Sequence, residues 1–196
     1  MNTTLKPLVF ATNNAYKVSE IRHQLGNHYD IITLKEAGIF IDIPEPYDTL
    51  EANASEKSGK ILSLTGKDCF SEDTGLEVES LDGAPGVKSA RFVEKNEQFE
   101  DNMSKLLSLL RDKTNRNAKF RTIISLRLKG SEHYFEGICE GTIIHNKKGI
   151  NGFGYDPIFV PDGSRKTFAE MTMEEKAVVS HRSKAVKKLA GFLKQL

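Results

Sequence analysis

The sequence predicts a mixed α/β fold, and three observations carry that prediction. Short apolar runs bounded by turn residues alternate with stretches of helical spacing. Two later runs meet at a Gly-Ser turn, as hairpin strands do. The chain has 196 residues, enough for one substantial core and short for two independent domains. The expectation is one domain over residues 1–196, with two lobes flanking a cleft.

The elements follow in order. Leu8 to Ala11 is a buried strand, and Thr12-Asn13-Asn14 turns it into a helix striped by Val18, Ile21, Arg22 and Leu25. Gly26-Asn27 ends that helix. Asp30 to Leu34 is a second strand. Thr49 caps a helix running to about Leu64. Cys69-Phe70-Ser71 enters another short strand. Met103, Leu106, Leu107 and Leu110 have helical spacing. Phe120 to Leu128 is a strand, and His133 to Ile144 returns antiparallel past Gly130-Ser131. Thr172-x-x-Glu175 is a capping box opening a helix. A last helix covers Ser183 to Leu193. No repeat, low-complexity segment or long linker interrupts this series.

Composition excludes several classes. Hydrophobic residues are 38% and charged residues 28%, an ordinary globular balance that argues against disorder. Lys and Arg number 28 against 27 Asp and Glu, a net charge of +1. No global basic field exists to hold a nucleic acid polymer, though a local basic cleft for a small anion is allowed. No apolar run approaches the ~18 residues that span a bilayer, and the first residues lack a signal peptide's apolar core. The two cysteines, Cys69 and Cys139, are far apart and have no metal-ligand spacing. A reducing cytoplasm is the expected location.

Four motifs point to chemistry. Thr12 to Lys17 joins a buried strand to a helix N-terminus, whose N–H groups and partial positive charge suit phosphate. The alternative is an Asn cap and a surface lysine; it is not a Walker loop. Ser71-Glu72-Asp73-Thr74-Gly75 places adjacent carboxylates after an apolar strand. They can hold Mg²⁺ or take a proton from water, and Glu45, between two prolines, can add a second metal oxygen. The alternative is an acidic turn. Gly152-Phe153-Gly154-Tyr155-Asp156-Pro157 lets backbone approach a flat ligand, with Phe153 as a stacking face, unless it is a turn with a core aromatic. Lys176, His181 and Arg182 gather donors that would meet a 6-keto oxygen; the alternative is a solvated helix face.

Taken in this order, the motifs are specific. The sequence resembles the inosine triphosphate pyrophosphatase family, also called XTP/dITP diphosphatases. The resemblance rests on Ala11 to Lys17, Ser71 to Leu76, Gly83 to Val87, Ser89-Ala90-Arg91, Gly152 to Pro161, Thr167 to Met171 and Ser180-His181-Arg182. It covers nearly the whole chain. It implies an elongated mixed sheet flanked by helices, a cleft between two lobes, and a homodimer. It implies Mg²⁺-dependent hydrolysis of ITP, dITP and XTP to the monophosphate and pyrophosphate, which cleanses the nucleotide pool. By position, Thr12, Asn13, Asn14, Ala15, Tyr16 and Lys17 cradle the triphosphate, and Lys57 binds phosphate. Asp73 is the general base and a metal ligand, with Glu45 the other metal carboxylate. Thr74 contacts substrate. Phe153, Gly154, Tyr155 and Asp156 hold the base, and Lys176, His181 and Arg182 read the purine edge.

Some positions depart from the family pattern. Thr12-Asn13-Asn14 replaces a frequent Thr-Gly-Asn, Ser71-Glu72 a frequent Ala-Asp, and Thr74 a frequent serine. Lys88 replaces a frequent tyrosine and Ser183 a frequent glycine. In the expected mechanism Asp73 or Glu72 accepts the proton as water attacks, while Lys17, Lys57 and the helix N-terminus stabilise the leaving pyrophosphate. Two rivals are a pyrophosphatase for methylated pyrimidine nucleotides and a non-catalytic nucleotide or RNA-binding module. The Gly152–Pro157 and Ser180–Arg182 segments argue against the first. No RNA-binding aromatic motif supports the second, and a dead nucleotide sensor would have lost Asp73 or Lys17.

Overall fold

A computed structural model describes residues 6–26 and 29–195. Strand β1 (Lys6–Phe10) runs into helix α1 (Ala15–Leu25) and then strand β2 (Tyr29–Thr33). β2 pairs in parallel with β1, Leu8 facing Ile31 and Phe10 facing Thr33. Leu8 and Phe10 enter one core and Val9 another, so the sheet is buried on both faces here and Leu8 to Phe10 is continuously apolar. Gly26 closes α1, its N–H donating to the Arg22 carbonyl at 2.8 Å; Asn27 lies outside the described residues. Helix α2 (Leu50–Thr65) begins where expected, with the Thr49 hydroxyl accepting from the Ala52 N–H.

Strand β3 (Cys69–Val78) is longer than the sequence suggests. It pairs in parallel with β1 through Cys69 and Phe70. It then continues through Glu72, Asp73, Thr74 and Gly75 with no turn, and pairs antiparallel with the short strand β4 (Pro85–Gly86). Asp-Thr-Gly has turn chemistry, but the sheet overrides it. Gly75 is required here for space: a Cβ at that position would stand 2.7 Å from the Gly86 carbonyl oxygen.

Helix α3 (Asn102–Leu109) precedes strands β5 (Asn117–Leu128) and β6 (Ser131–Ile143). They join through Lys129 and Gly130, both at positive φ, which a two-residue hairpin turn demands. Strand β7 (Phe159–Pro161) pairs antiparallel with the end of β6. Helices α4 (Met173–Val179) and α5 (His181–Leu193) complete the fold, and Thr172 and Glu175 form the expected capping box of α4. Among the described residues the sheet has seven strands, in the order β2-β1-β3-β5-β6-β7, with β4 beside β3. None of the described helices is long and apolar enough to cross a membrane.

The chain forms two compact units. The first comprises residues 1–73, 122–137 and 182–196. Its core joins Leu8, Phe10, Val18, Ile21 and Leu25 to Phe70, Ile124 and the Ala185, Val186, Leu189 stripe of α5. The Phe10 and Phe70 rings stack 4.5 Å apart. The second unit comprises residues 74–121 and 138–181. Leu76, Val78, Leu106, Leu110, Phe120, Ile158, Phe159 and Phe168 build its core.

Candidate active site

In the first unit, β1 and α1 present the Thr12–Lys17 loop. Asn14 is the helix cap, and its Oδ1 accepts from the N–H groups of Tyr16 and Lys17. Those two donors are therefore already engaged. The Asn14 N–H donates to Thr12 Oγ1 at 3.1 Å. Asn13 is exposed, and its Nδ2 donates to the Ile41 carbonyl at 3.1 Å. Ala15 and Tyr16 are exposed. Lys17 is more than a surface lysine, because its Nζ lies 2.9 Å from Glu72 Oε1.

Glu72 is the centre of a buried charge network. Arg182 reaches it with two parallel bonds, Nε to Oε2 at 2.7 Å and Nη2 to Oε1 at 2.9 Å. The Arg182 Nη1 also donates to Glu20 Oε2 at 2.5 Å. Burial opposes the Glu72 charge, but Arg182 and Lys17 outweigh it and hold the carboxyl well below the usual carboxylate range. Both Glu72 oxygens are thus bound. Arg182, expected at the purine edge, belongs to this network instead. It is 1% exposed, and its guanidinium turns to Glu72 and Glu20.

Asp73, the next residue on β3, has a different environment. Its Oδ1 accepts from Lys57 Nζ at 2.8 Å, and the same ammonium reaches Glu45 Oε1 at 2.5 Å. Asp73 Oδ2 is buried and has no hydrogen-bond partner among the described residues. Burial is the main force on this carboxyl; the Lys57 charge partly offsets it and Glu45 reinforces it. The pKa is raised to about 6. Lys57 is itself opposed by burial, but Asp73 and Glu45 more than compensate and raise its pKa. Glu45, Lys57 and Asp73, separated in sequence, thus meet at one point.

The donor set fits Mg²⁺. This ion takes one or two protein carboxylates and completes its octahedron with waters and substrate phosphate. Asp73 Oδ2 is an acceptor still to be satisfied, and Glu45 shares the Lys57 ammonium with Asp73. Among the described residues no cluster of three or more His, Cys, Asp or Glu could hold a metal unaided.

In the second unit, the Gly152–Asp156 loop is built around Asp156. Its Oδ2 accepts from the Phe153 N–H at 2.9 Å and from Lys176 Nζ at 2.7 Å. Gly152 has φ +76, and a Cβ there would meet the Asp156 carboxylate at 2.1 Å. Phe153 is half-buried and Gly154 exposed. Lys176 Nζ sits 5.3 Å from the Phe153 ring centroid and 5.2 Å from that of Phe168. Tyr155 points into the core and donates to the Ser89 carbonyl at 2.9 Å, so it supports the loop and offers no face to a base. His181 stacks on Phe120 with centroids 4.6 Å apart. Thr74 is half-buried on β3.

Two residues escaped the sequence argument. Glu20, three residues after Lys17 on α1, grips Arg182; an acidic residue among the positions flanking Ile21 was the available signal. Asn53 is buried and bonded twice to the Tyr47 backbone. Its signal was a polar residue four positions before Lys57, between two alanines.

The sequence profile of the Ham1 family matches residues 8–192. A protein of Flavobacterium psychrophilum named dITP/XTP pyrophosphatase is 50% identical over 187 residues, 95% of this chain and 98% of that protein. The solved Ham1 protein of Staphylococcus aureus superposes with a TM-score of 0.85 at 37% identity, covering 97% of this chain and 99% of the other. A HAM1 protein from Coxiella burnetii gives 0.87 at 32% identity, over 98% and 100% of the two chains. A match of this extent, carried by both sequence and fold, means that the chain belongs to the Ham1 family.

Proposed function

We propose that this chain is a nucleoside triphosphate pyrophosphatase that hydrolyses deaminated purine nucleotides, dITP, ITP and XTP, to the monophosphate and pyrophosphate. The observation that carries this reading is the environment of Asp73. Its carboxyl holds Lys57 through Oδ1, leaves Oδ2 without a partner among the described residues, and has a pKa raised to about 6. A base near the working pH combines ionisation with proton affinity. Asp73 takes the proton of the attacking water. The new P–O bond forms as the bond to the pyrophosphate oxygen breaks, and the pyrophosphate carries the electron pair away.

Lys17 and Lys57 offset the charge that develops on the phosphates. Glu45 and Asp73 would hold Mg²⁺, which when bound supplies charge neutralisation and lowers the pKa of water. The polyphosphate falls to Lys17, Lys57 and the Thr12–Lys17 loop, and the base to the Gly152–Asp156 loop. Phe153 offers the stacking face, while Lys176 and His181 supply donors for a 6-keto oxygen. Adenine presents an amino group there, and an unpaired buried donor costs about 1–3 kcal/mol. The same argument applies to the 2-amino group of GTP. Two buried free thiols, Cys69 and Cys139, support a reducing compartment, and the family resemblance supports a homodimer, which sedimentation would measure.

The test is pyrophosphate release with Mg²⁺ from ITP, XTP, dITP, GTP, ATP and dTTP in parallel. Turnover of ITP and XTP about a hundredfold above GTP and ATP is expected, near the upper end of what one unpaired donor gives. Asp73→Asn should lower kcat by about 10²–10⁴ with an unchanged circular dichroism spectrum. Near-normal turnover in that variant would remove Asp73 from the mechanism.

A further inference from the structure

Helix α2 presents two polar side chains on one face, Asn53 and Lys57, at the i, i+4 spacing that makes neighbours. Both point at the segment that carries Glu45. Lys57 takes the Glu45 carboxylate at 2.5 Å. Asn53 takes the backbone two residues on: its Oδ1 accepts from the Tyr47 N–H at 3.0 Å, and its Nδ2 donates to the Tyr47 carbonyl at 3.0 Å. These partners fix the orientation of the amide, because the N–H needs an oxygen and the carbonyl needs a nitrogen. Asn53 is fully buried.

The residues between these two contacts are stiff. Glu45 lies between Pro44 and Pro46. Each proline fixes its own φ, and each confines the residue before it to extended backbone, so Glu45 itself is restricted. Fixing Tyr47 therefore fixes the direction from which the Glu45 side chain leaves. The stretch from Phe40 to Tyr47 has no regular secondary structure to do this instead. On the far side, Thr49 caps α2 and ties the segment's exit to the same helix.

We infer that Asn53 is a positioning residue for Glu45. It sets the backbone of the Pro44–Tyr47 segment so that the carboxylate is already aimed before metal and substrate arrive. The inference rests on the reading of Glu45 as a metal carboxylate. Preorganisation is where such a residue earns its effect, since a group aimed through its backbone need not be ordered at the moment of binding.

The experiment uses the full chain with four changes: Asn53→Ala, Asn53→Ser, Glu45→Gln, and Asn53→Ala combined with Glu45→Gln. The serine variant guards against misfolding, because its hydroxyl can satisfy itself on the Thr49 carbonyl of its own helix. Two quantities are read. Amide exchange of Tyr47 reports the backbone clamp. Binding of Mn²⁺ alone, followed by electron paramagnetic resonance, reports the carboxylate. In both Asn53 variants the Tyr47 amide should exchange at least about tenfold faster, while the rest of α2 keeps its protection. The Mn²⁺ dissociation constant should rise about tenfold or more, and the double variant should bind no more weakly than Glu45→Gln alone. Normal Mn²⁺ affinity in Asn53→Ser and Asn53→Ala, alongside a loss in Glu45→Gln, would overturn the inference and leave Asn53 a plain helix-to-loop tie. Undiminished Mn²⁺ binding in Glu45→Gln would overturn the reading of Glu45 beneath it.

Discussion

Arg182 holds Glu72 by two parallel bonds, 2.7 and 2.9 Å long, between residues 110 positions apart in the chain. Neither side chain reaches water: Arg182 is 1% exposed and Glu72 2%. Deleting Arg182 leaves the buried Glu72 charge with Lys17 alone to compensate it. Arg182→Ala should therefore destabilise the fold by about 3–5 kcal/mol, read as a lower urea midpoint. Arg182→Lys keeps the charge but loses the fork, and should fall between the two. An unchanged midpoint in Arg182→Ala would mean that the network contributes little.

Phe153 is only half-buried, so its removal should spare the fold and weaken the substrate. Base–aromatic stacking is worth about 1–3 kcal/mol. Phe153→Ala should lower kcat/KM for ITP by the corresponding factor, mainly through KM, with the melting temperature nearly unchanged. Phe153→Tyr should restore most of the loss. A normal KM in the alanine variant would show that the base stacks elsewhere.

Arg116 is a stability determinant. Its guanidinium is buried and donates to three carbonyls, Ile143 at 2.6 Å, Leu110 at 2.6 Å and Ile144 at 3.2 Å. It satisfies both the C-terminal cap of α3 and the end of β6. Burial lowers its pKa. Arg116→Met fills much of the volume and strands the carbonyls, at about 1–3 kcal/mol for each one left unbonded. Thermal unfolding should show the loss, and kcat measured well below the melting temperature should not change.

Cys69 supplies a pH-dependent prediction. Burial, the largest influence, pushes its thiol up from 9.0 to about 11, and the nearby Arg127 charge only partly opposes this. The fold thus favours the neutral thiol. Its contribution to stability is present below about pH 9 and is lost as pH rises through about 11. At pH 8 the folded thiolate fraction is about a hundredfold below that of an unfolded cysteine. Cys69 should resist a disulfide reagent at pH 8 until the protein unfolds. Cys69→Ser should flatten the decline in stability above pH 9.

Much of this was legible in the chain because it depends on neighbours in sequence. The Thr49 cap and the Thr172–Glu175 box rest on contacts three residues apart. What was not legible depends on distant partners. Ser71 to Gly75 has the composition of a turn, and the sheet neighbours β1, β4 and β5 hold it in a strand. Arg182 beside His181 suggested two donors for one base. A helix start turns the arginine to α1 and β3, while His181 packs on Phe120. Asp73 and Glu45 are candidates from motif and resemblance, but the lysine they share becomes visible only where α2 brings it to both.

The order of synthesis runs against the order of the units. The core of the first unit contains Leu8, near the start of the described chain, and Leu193 on α5. The second unit uses nothing beyond residue 181. Its residues have therefore all been made while the first unit still lacks its last helix. The part of the chain that is born first must wait longest, with Phe10 and Phe70 exposed to solvent or to a chaperone until α5 arrives. Pulse-labelling of nascent chains should find the second unit protected earlier than the first.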